Sequence, residues 1–358
     1  MAVNIYTKAG WLDWDKIVKI AKNCPWICAI GHRQVGKTYG VIKWCIENNK
    51  TFLFVRRTKT QYDMIFKPET NPFKPLVDNG AMAPIIFKTV NKDITAVYYS
   101  TETEDGKIVP KGEKLGLCTS LSCFSNVRGA SFPEIDVIIM DEFIKQKNEA
   151  KIKGEAGALL NLYYSVNSNR EIQGKPPVRV FCLANANAIS NTLYVELNIV
   201  TRAYEMMKNH QEISLDEKHK LCMIHLYKSP IAEKMKKVST LAALTSLNPT
   251  SEFNEMAFEN KFALQETDAI KSFKLPGEWK ALCTIGCITI YTHKHDRTYY
   301  VSTYKTGTCR TYSTTEIEKR RFINKFLYVY TAFLRSQVFF QDYTCLVMFQ
   351  KAFDPSEE

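Results

Sequence analysis

Runs of mostly apolar residues recur in the first half of the chain and predict strands that are buried on both faces. These runs occupy residues 26–30, 51–55, 137–140 and 178–184. Apolar residues at helical spacing predict helices beside them, at residues 11–23, 37–47 and 156–166. Buried strands that alternate with helices are typical of a mainly parallel sheet covered on both faces, so this part is predicted to be an α/β domain.

The polar, proline-containing stretch 60–115 interrupts this alternation. Within it, residues 85–88 and 94–99 are predicted to form a hairpin across a turn at 91–93. We expect the whole stretch to be an insertion at the edge of the sheet, where proline is tolerated.

The pattern changes again in the second half of the chain. Residues 206–260 are charged and helical in pattern, with few strand signals. After Pro276-Gly277, the pattern predicts short strands at 281–291 and 298–304, a long helix at 315–335 and an apolar segment at 338–349. We therefore divide the 358-residue chain into an α/β domain at 1–205, a helical linker at 206–264 and a small α+β domain at 265–358.

The strand predicted at 26–30 leads directly into a glycine-rich loop that matches the phosphate-loop pattern GxxxxGK[ST]. Backbone N–H groups of such a loop close around phosphates, and the helix that follows adds a favourable dipole. Lys37 is expected to bind the β- and γ-phosphates of ATP, and Thr38 to offer its hydroxyl to Mg²⁺. A chance glycine-rich turn would lack the flanking strand and helix. The predicted nucleotide contacts are Gly31, His32, Arg33, Gln34, Val35, Gly36, Lys37, Thr38 and Tyr39.

The apolar strand at 137–140 ends in two adjacent carboxylates, Asp141 and Glu142. Two acids at a strand end are common on protein surfaces, but together with an upstream phosphate loop they predict a hydrolytic site. Asp141 is expected to hold Mg²⁺, directly or through water, and Glu142 to act as the general base.

A glutamate beside the metal-binding aspartate indicates hydrolysis rather than transfer to a second substrate. It also suggests the subclass of phosphate-loop proteins that has an extra strand between the loop strand and the acidic strand. The run 178–184 fits that strand, and it ends at Asn185. Asn185 is a candidate sensor of the γ-phosphate; the alternative is a simple turn residue.

The net charge of +11 favours an anionic partner, either nucleic acid or an acidic membrane face. Residues 291–335 carry nine Lys/Arg and three Asp/Glu, a pattern that also fits a solvated basic face. The 11 scattered cysteines are interpreted as reduced thiols of a cytoplasmic protein, with zinc a remote option. We expect no signal segment, because the first 16 residues contain no apolar signal region, and no membrane span, because no apolar run approaches 18 residues.

Several segments together resemble the DNA-packaging motor ATPases of small, short-tailed phi-29-like phages. They are GHRQVGKTYG, FVRRTK, IIMDEFIKQK, ALLNL followed by SNRE, and CLANA, which cover most of 31–187. The resemblance implies a homopentameric ring at the portal of an empty phage head, where it pumps double-stranded DNA inward. It also implies a protein of the host cytoplasm that attaches transiently to the prohead. The C-terminal domain would have an RNase H-like fold without catalysis, which in part of the family docks on a structural packaging RNA.

The resemblance also implies roles for basic residues. Lys59 sits where the family places a residue near the DNA pore; the alternative is an ordinary exposed lysine. Arg128 and Arg170 lie where the family has basic residues that act on a neighbouring subunit's nucleotide. At Arg170 the match is imperfect, and a helix-end arginine paired to a carboxylate such as Glu171 is the alternative. The adjacent residues Arg56 and Arg57 could brace the nucleotide or a neighbouring subunit, and the sequence leaves this open.

Nuclease activity is not expected from the C-terminal domain. A metal-dependent nuclease of this fold needs carboxylates on its central strands. The candidate first strand, 282–290, contains neither Asp nor Glu. Two rival functions stay open: another hydrolytic motor on nucleic acid, such as a helicase, and a nucleotide-switched assembly protein.

Overall fold

The computed structural model describes residues 4–127, 132–146, 149, 152–185, 191–227, 229–247, 269–272 and 277–354. Its helices are α1 (Trp14–Ile20), α2 (Lys37–Glu47), α3 (Lys59–Asp63), α4 (Lys74–Asp78), α5 (Glu155–Asn167), α6 (Thr192–Glu196), α7 (Val200–Lys208), α8 (Pro230–Val238), α9 (Thr240–Thr245), α10 (Glu316–Phe333) and α11 (Tyr343–Phe353). Short 3₁₀ turns lie at Met64–Phe66 and Leu121–Val127.

The strands are β1 (Trp26–Gly31), β2 (Phe52–Arg56), β3 (Ile85–Asn91), β4 (Ile94–Glu102), β5 (Ile108–Ser120), β6 (Val137–Asp141), β7 (Arg179–Ala184), β8 (Ile213–Asp216), β9 (Leu221–Leu226), β10 (Trp279–Ile285), β11 (Ile288–His293), β12 (Tyr299–Ser302), β13 (Arg310–Tyr312) and β14 (Val338–Phe340). None of the helices in the described ranges is long and apolar enough to cross a membrane.

A nine-stranded sheet with the order β3-β4-β5-β2-β6-β7-β1-β9-β8 organises the first compact unit, Met1–Ala188 with Met206–Ala263. The six strands from β5 to β9 in this order pair in parallel, and the pairs at both edges are antiparallel. Strand β7 lies between β1 and β6, which confirms the predicted extra strand. The predicted hairpin is also confirmed: β3 and β4 form one edge of the sheet.

The central strands form as predicted because their residues are buried on both faces, as the continuous apolar runs require. One face is covered by α1 and α2. The rings of Trp14 and Trp44 both meet Phe181 of β7 edge-on, and Gly40 of α2 leaves the space that Trp14 fills. Packing of these aromatic rings fixes α2, and with it the loop before α2, over the middle of the sheet.

The prediction that 206–260 is helical is wrong over 213–226. This part forms the hairpin β8–β9, and β9 pairs in parallel with β1, with Leu226 opposite Gly31. All six residues of β9 are buried, although charged neighbours before the strand hide it in the sequence pattern. In the described part of this range, helix is found at the end of α7 before the hairpin and in α8 and α9 after it.

The second compact unit comprises Ile189–Glu205 and Leu264–Glu358. Its five-stranded mixed sheet has the order β13-β10-β11-β12-β14 and packs with α10 and α11, so the α+β class is confirmed. Residues 189–205 belong to this unit, and Tyr204 of this segment stacks on Tyr343. The compact units therefore differ from the predicted domains, which were divided at 205 and 264. The RNase H-like likeness stays a prediction.

The segment 282–290 is not a single strand. It turns back at Gly286 and forms the hairpin of β10 and β11. Gly286 has a φ of 55°, a conformation that residues with a side chain rarely adopt, and this conformation allows the tight reversal.

Candidate active site

The carboxyl ends of β1, β2, β6 and β7 meet at one edge of the large sheet, which is where ligands bind in parallel α/β sheets. A cavity of about 420 Å³ opens there. It is lined by Arg33, Gln34, Gly36, Lys37, Thr38, Tyr39, Arg56, Pro72, Pro75, Asp141, Glu142, Gln146, Ala184 and Asn185. The fold therefore gathers residues from five separate parts of the chain around one space.

The predicted phosphate loop connects β1 to α2 at this edge. Gly36 is the N-cap of α2 with a φ of 84°, and Gln34 also has a positive φ, 59°. These left-handed residues curl the backbone, so that the first N–H groups of α2 stay available to an anion. His32 and Val35 are buried and do not belong to the described cavity lining.

Lys37 points into the loop rather than into solvent. Its Nζ donates to the carbonyls of Gly31 (3.0 Å) and His32, and to Asn185 Oδ1 at 3.2 Å. Burial lowers the pKa of Lys37 to about 7, against the opposing effect of Asp141. A buried cation of this kind is stabilised when an anion such as a phosphate binds beside it.

The acidic pair lies across the cavity from Lys37. Asp141 accepts a hydrogen bond from Thr38 Oγ1 at 2.9 Å. Arg56 Nη1 lies 3.2 Å from Asp141 Oδ2 and 3.3 Å from Glu142 Oε2, so one guanidinium bridges both acids. Burial raises the pKa of Glu142; Arg56 opposes this shift, while Asp141 and Glu149 reinforce it. A carboxylate with a raised pKa is suited to take a proton.

Glu142 has a φ of 58°, in the left-handed region. A non-glycine residue held in this conformation is uncommon and often belongs to a functional site. Here it turns the chain directly after β6, where the side chain reaches the cavity.

The neighbouring oxygens of Thr38 and Asp141 fit Mg²⁺. This ion prefers a few hard oxygen ligands from the protein and completes its shell with water and phosphate oxygens. Thr38 and Asp141 supply one hydroxyl and one carboxylate at adjacent positions, as the sequence predicts.

The sequence leaves the roles of Arg56 and Arg57 open, and the structure gives the two side chains different surroundings. Arg56 lines the cavity, whereas the side chain of Arg57 is fully buried and binds Glu149 and Glu155. Alternation of side chains along the end of β2 sends the two to opposite sides. Arg57 therefore holds the segment after β6 and does not face the nucleotide site.

Gln61 and Glu149 belong to the site and were missed by the sequence analysis. Gln61 Nε2 donates to Glu149 Oε1 at 3.1 Å and lies 3.4 Å from Glu142 Oε2. The Gln61 side chain also accepts from Thr58 N at 3.2 Å and so caps α3. No sequence motif marks the contacts of Gln61 with Glu142 and Glu149, because they join residues that are far apart in the chain.

Asn185 lies at the end of β7, as the sequence predicts, and the structure adds that it accepts a hydrogen bond from Lys37. Lys59, at the start of α3, donates to the Lys92 carbonyl at 2.7 Å, and its Nζ lies 4.0 Å from the centre of the Tyr62 ring.

Arg170 lies on the opposite side of the sheet from the cavity along the strand direction, beyond the amino end of β6. It donates to the Ile135 carbonyl at 2.8 Å and pairs with Asp136 at 3.1 Å. Its carboxylate partner is thus Asp136 rather than Glu171. Arg128 lies outside the described residues.

Comparison with known proteins gives a consistent result. The DNA packaging protein of Bacillus phage phi29 is 28% identical over 200 residues, which cover 54% of this chain and 50% of that protein. The DNA packaging protein of Bacillus phage B103 is 26% identical over 256 residues, 70% of this chain and 66% of that protein. The match with the phi29 protein thus spans only half the length of that relative.

The fold is also similar to a solved structure, a chain of the bacteriophage Phi-29 viral genome packaging motor assembly. The TM-score is 0.64 at 17% identity, over 98% of this chain and 99% of that one. The family model of podovirus DNA encapsidation proteins (Gp16) matches residues 12–271. That range is well over half of the chain, and the chain therefore belongs to the podovirus DNA encapsidation (Gp16) family.

Proposed function

We propose that this protein is a Mg²⁺-dependent ATPase that drives double-stranded DNA into a phage prohead. The observation that carries the proposal is the convergence of Lys37, Thr38 and the Asp141–Glu142 pair on one cavity. Membership of the DNA encapsidation family supports DNA as the cargo.

The chemistry assigned to the chain follows from these positions. Lys37 would neutralise the β- and γ-phosphates, and Glu142 would take a proton from the attacking water. Thr38 and Asp141 would hold Mg²⁺, which when bound neutralises charge on the phosphate oxygens. Asn185, through its contact with Lys37, would report the state of the γ-phosphate.

The partners follow from charge and family. A net charge of +11 favours the phosphate backbone of duplex DNA, which can be gripped without regard to sequence. We propose Lys59 as one contact. In its host's cytoplasm the chain would form a ring, a pentamer by resemblance, attach transiently to the portal of the prohead, and in part of the family also meet a packaging RNA.

The test is the ATPase rate with and without duplex DNA and empty proheads. Stimulation by intact duplex supports translocation. Unwinding of the duplex would favour a helicase, and slow turnover unaffected by DNA would favour a nucleotide-switched assembly protein. Binding to two unrelated duplexes should weaken by orders of magnitude between about 50 and 200 mM salt. A strong preference for one duplex would contradict phosphate contacts.

We also propose that an arginine of one subunit stabilises the γ-phosphate of its neighbour, an effect worth about 10³–10⁵ in rate in related hydrolases. Arg128 is the stronger candidate, because Arg170 is already paired to Asp136 in its own chain. Arg128→Ala subunits should be inactive alone and regain hydrolysis when mixed with Glu142→Gln subunits. Co-assembled mixtures that stay inactive would exclude action across subunits.

For the C-terminal unit we propose a docking role without nuclease activity. Strands β10 and β11 carry no carboxylate that could hold a metal ion. Incubation of the full chain with plasmid and Mn²⁺ tests this. Nicking that disappears in Asp296→Ala would overturn it.

A further inference from the structure

A closed turn, Thr7–Trp11, holds an aromatic ring beside the phosphate loop. Thr7 N donates to the Trp11 carbonyl at 2.8 Å, and Trp11 N donates to Thr7 Oγ1 at 3.1 Å. Gly10, with a φ of 94°, allows the tight bend. The backbone that carries Trp11 is therefore fixed before any ligand binds.

The residues after this turn dock on the loop itself. Leu12 N donates to the Val35 carbonyl at 3.5 Å, and Trp14 Nε1 donates to the Gly36 carbonyl at 3.4 Å. The Trp11 ring also lies near Gly36: its Cε3 is 3.4 Å from the point where a Cβ would sit on that glycine. Two tryptophans thus lie next to the same glycine.

These two tryptophans differ in exposure. Trp14 is 3% exposed and packs in the core, where it braces α2. Trp11 is 38% exposed. A core role accounts for Trp14, whereas Trp11 is partly exposed next to the predicted nucleotide-binding loop, where a tryptophan is suited to stack on a ring.

The route of a bound nucleotide brings its base to this place. Lys37, deep in the loop, takes the β- and γ-phosphates, so the nucleoside leaves past the first turn of α2. Gly36 and Tyr39 line the cavity at that turn, and Trp11 lies against Gly36. Trp11 does not itself line the described cavity but lies next to Gly36, which does, so its ring would border the path of ribose and base.

We propose that Trp11 is a stacking platform for the nucleotide base. The inference rests on the proposed ATPase function and adds the recognition of the base to it. A stacked ring contacts the face of a base and not its hydrogen-bonding edge. Trp11 therefore favours purines over pyrimidines and separates adenine from guanine only weakly.

The test compares ligands with and without a base. Binding of ATP, CTP and inorganic tripolyphosphate is measured by calorimetry with Mg²⁺ for wild type, Trp11→Ala and Trp11→Phe. Trp11→Ala should weaken ATP binding about tenfold, in the lower part of the range for base stacking on an aromatic ring. CTP should lose less, and tripolyphosphate should bind unchanged. Trp11→Phe should recover most of the loss, because it keeps a ring.

Two outcomes overturn the inference while the ATPase proposal stands. Equal loss of ATP and tripolyphosphate would mean that Trp11 braces the loop, and no loss of either would mean that it does not touch the ligand. If wild type binds neither ligand, the ATPase proposal fails, and this inference fails with it. Trp26→Phe, at the far end of β1, is the matched control and should leave all three affinities unchanged.

Discussion

Nearly identical ion pairs lie at the two ends of β6, but the surroundings of the two pairs are very different. At the amino end, Arg170 lies 3.1 Å from Asp136, and at the carboxyl end, Arg56 lies 3.2 Å from Asp141. The two arginine side chains are also similarly buried, at 13% and 16% exposure. Neither the distance nor the burial of an arginine–aspartate pair therefore marks a functional site.

The two ion pairs differ in the other groups that surround each arginine. Arg170 uses its other donors on the carbonyls of Ile135 and Pro176, so its hydrogen bonding is complete within local packing. Arg56 instead shares its guanidinium between two acids that face a cavity and Lys37. Like charges held together beside open space are costly for folding, and such an arrangement is typical of groups kept for chemistry.

The largest effect should come from Glu142, the acid next to the pair at the carboxyl end. Glu142→Gln should lower the hydrolysis rate about 10²–10⁴-fold, because an amide cannot accept the proton of water. ATP binding should persist, as measured by calorimetry. Asp136→Asn is the matched change at the amino end and should leave hydrolysis unaffected. Normal turnover of Glu142→Gln would remove the functional distinction between the two ends.

Removal of the buried cation comes next. Lys37→Ala should weaken ATP binding at least about thirtyfold, since the loss of one partner of a buried charge pair costs about 2–5 kcal/mol. Lys37 also donates to the carbonyls of Gly31 and His32 in the empty loop, so the melting temperature of the empty variant is measured beside its ATP affinity. A lowered melting temperature with unchanged ATP affinity would make Lys37 a structural residue.

Variants of Arg56 and Arg170 compare the two ends of β6 most directly. Arg56→Ala should lower turnover by about 10–100-fold, as expected for loss of a hydrogen bond to a charged group. Because Arg56 opposes the upward shift in the pKa of Glu142, the acid limb of the pH–rate profile should also move to higher pH. The profile is measured on purified chain between pH 5 and 9.

Arg170→Ala should instead lower the free energy of unfolding by about 1–3 kcal/mol, because it leaves the Ile135 carbonyl and Asp136 without their donor. Its pH–rate profile should keep its shape. A shifted profile in Arg170→Ala, or an unshifted one in Arg56→Ala, contradicts the assignment of the two ends.

The smallest effect is expected from a polar residue that lies near the carboxyl ends of the parallel strands but outside the cavity. His225 of β9 is fully buried, and burial lowers its pKa to about 3 from the ordinary 6.5. Between these values only the unfolded chain binds the proton, so stability falls as the pH drops, by about 1.4 kcal/mol per unit. His225→Gln should flatten that slope in urea unfolding at pH 4–6 while ATP affinity at pH 7 stays unchanged.

Much of the nucleotide site was predictable because its signals are local. The phosphate loop and the Asp141–Glu142 pair each sit at the end of a continuous apolar run, and both lie in the cavity. The position of β7 followed from the adjacency of the two acids. These features depend on residues within a few positions of one another.

The remaining features depend on contacts between distant segments. The last part of β5 joins the parallel sheet beside β2, although a long polar stretch precedes it, and β9 was hidden in a charged region. The roles of Gln61 and Arg57 are set by residues some 80–100 positions away. Periodicity carries no information on such pairings, since they are chosen by the topology of the sheet.

The place of β1 in the sheet has a consequence for how the protein is made. The phosphate-loop strand ends at Gly31, but its two neighbours are β7 (Arg179–Ala184) and β9 (Leu221–Leu226). During synthesis, the loop leaves the ribosome long before either neighbour exists, and β1 waits unpaired while some 150 further residues are added. A nascent chain halted before residue 179 has the complete ATP motif in its sequence and no β7 to pair with its strand. We therefore expect a nascent chain to bind ATP only after β7 and β9 have been added beside β1.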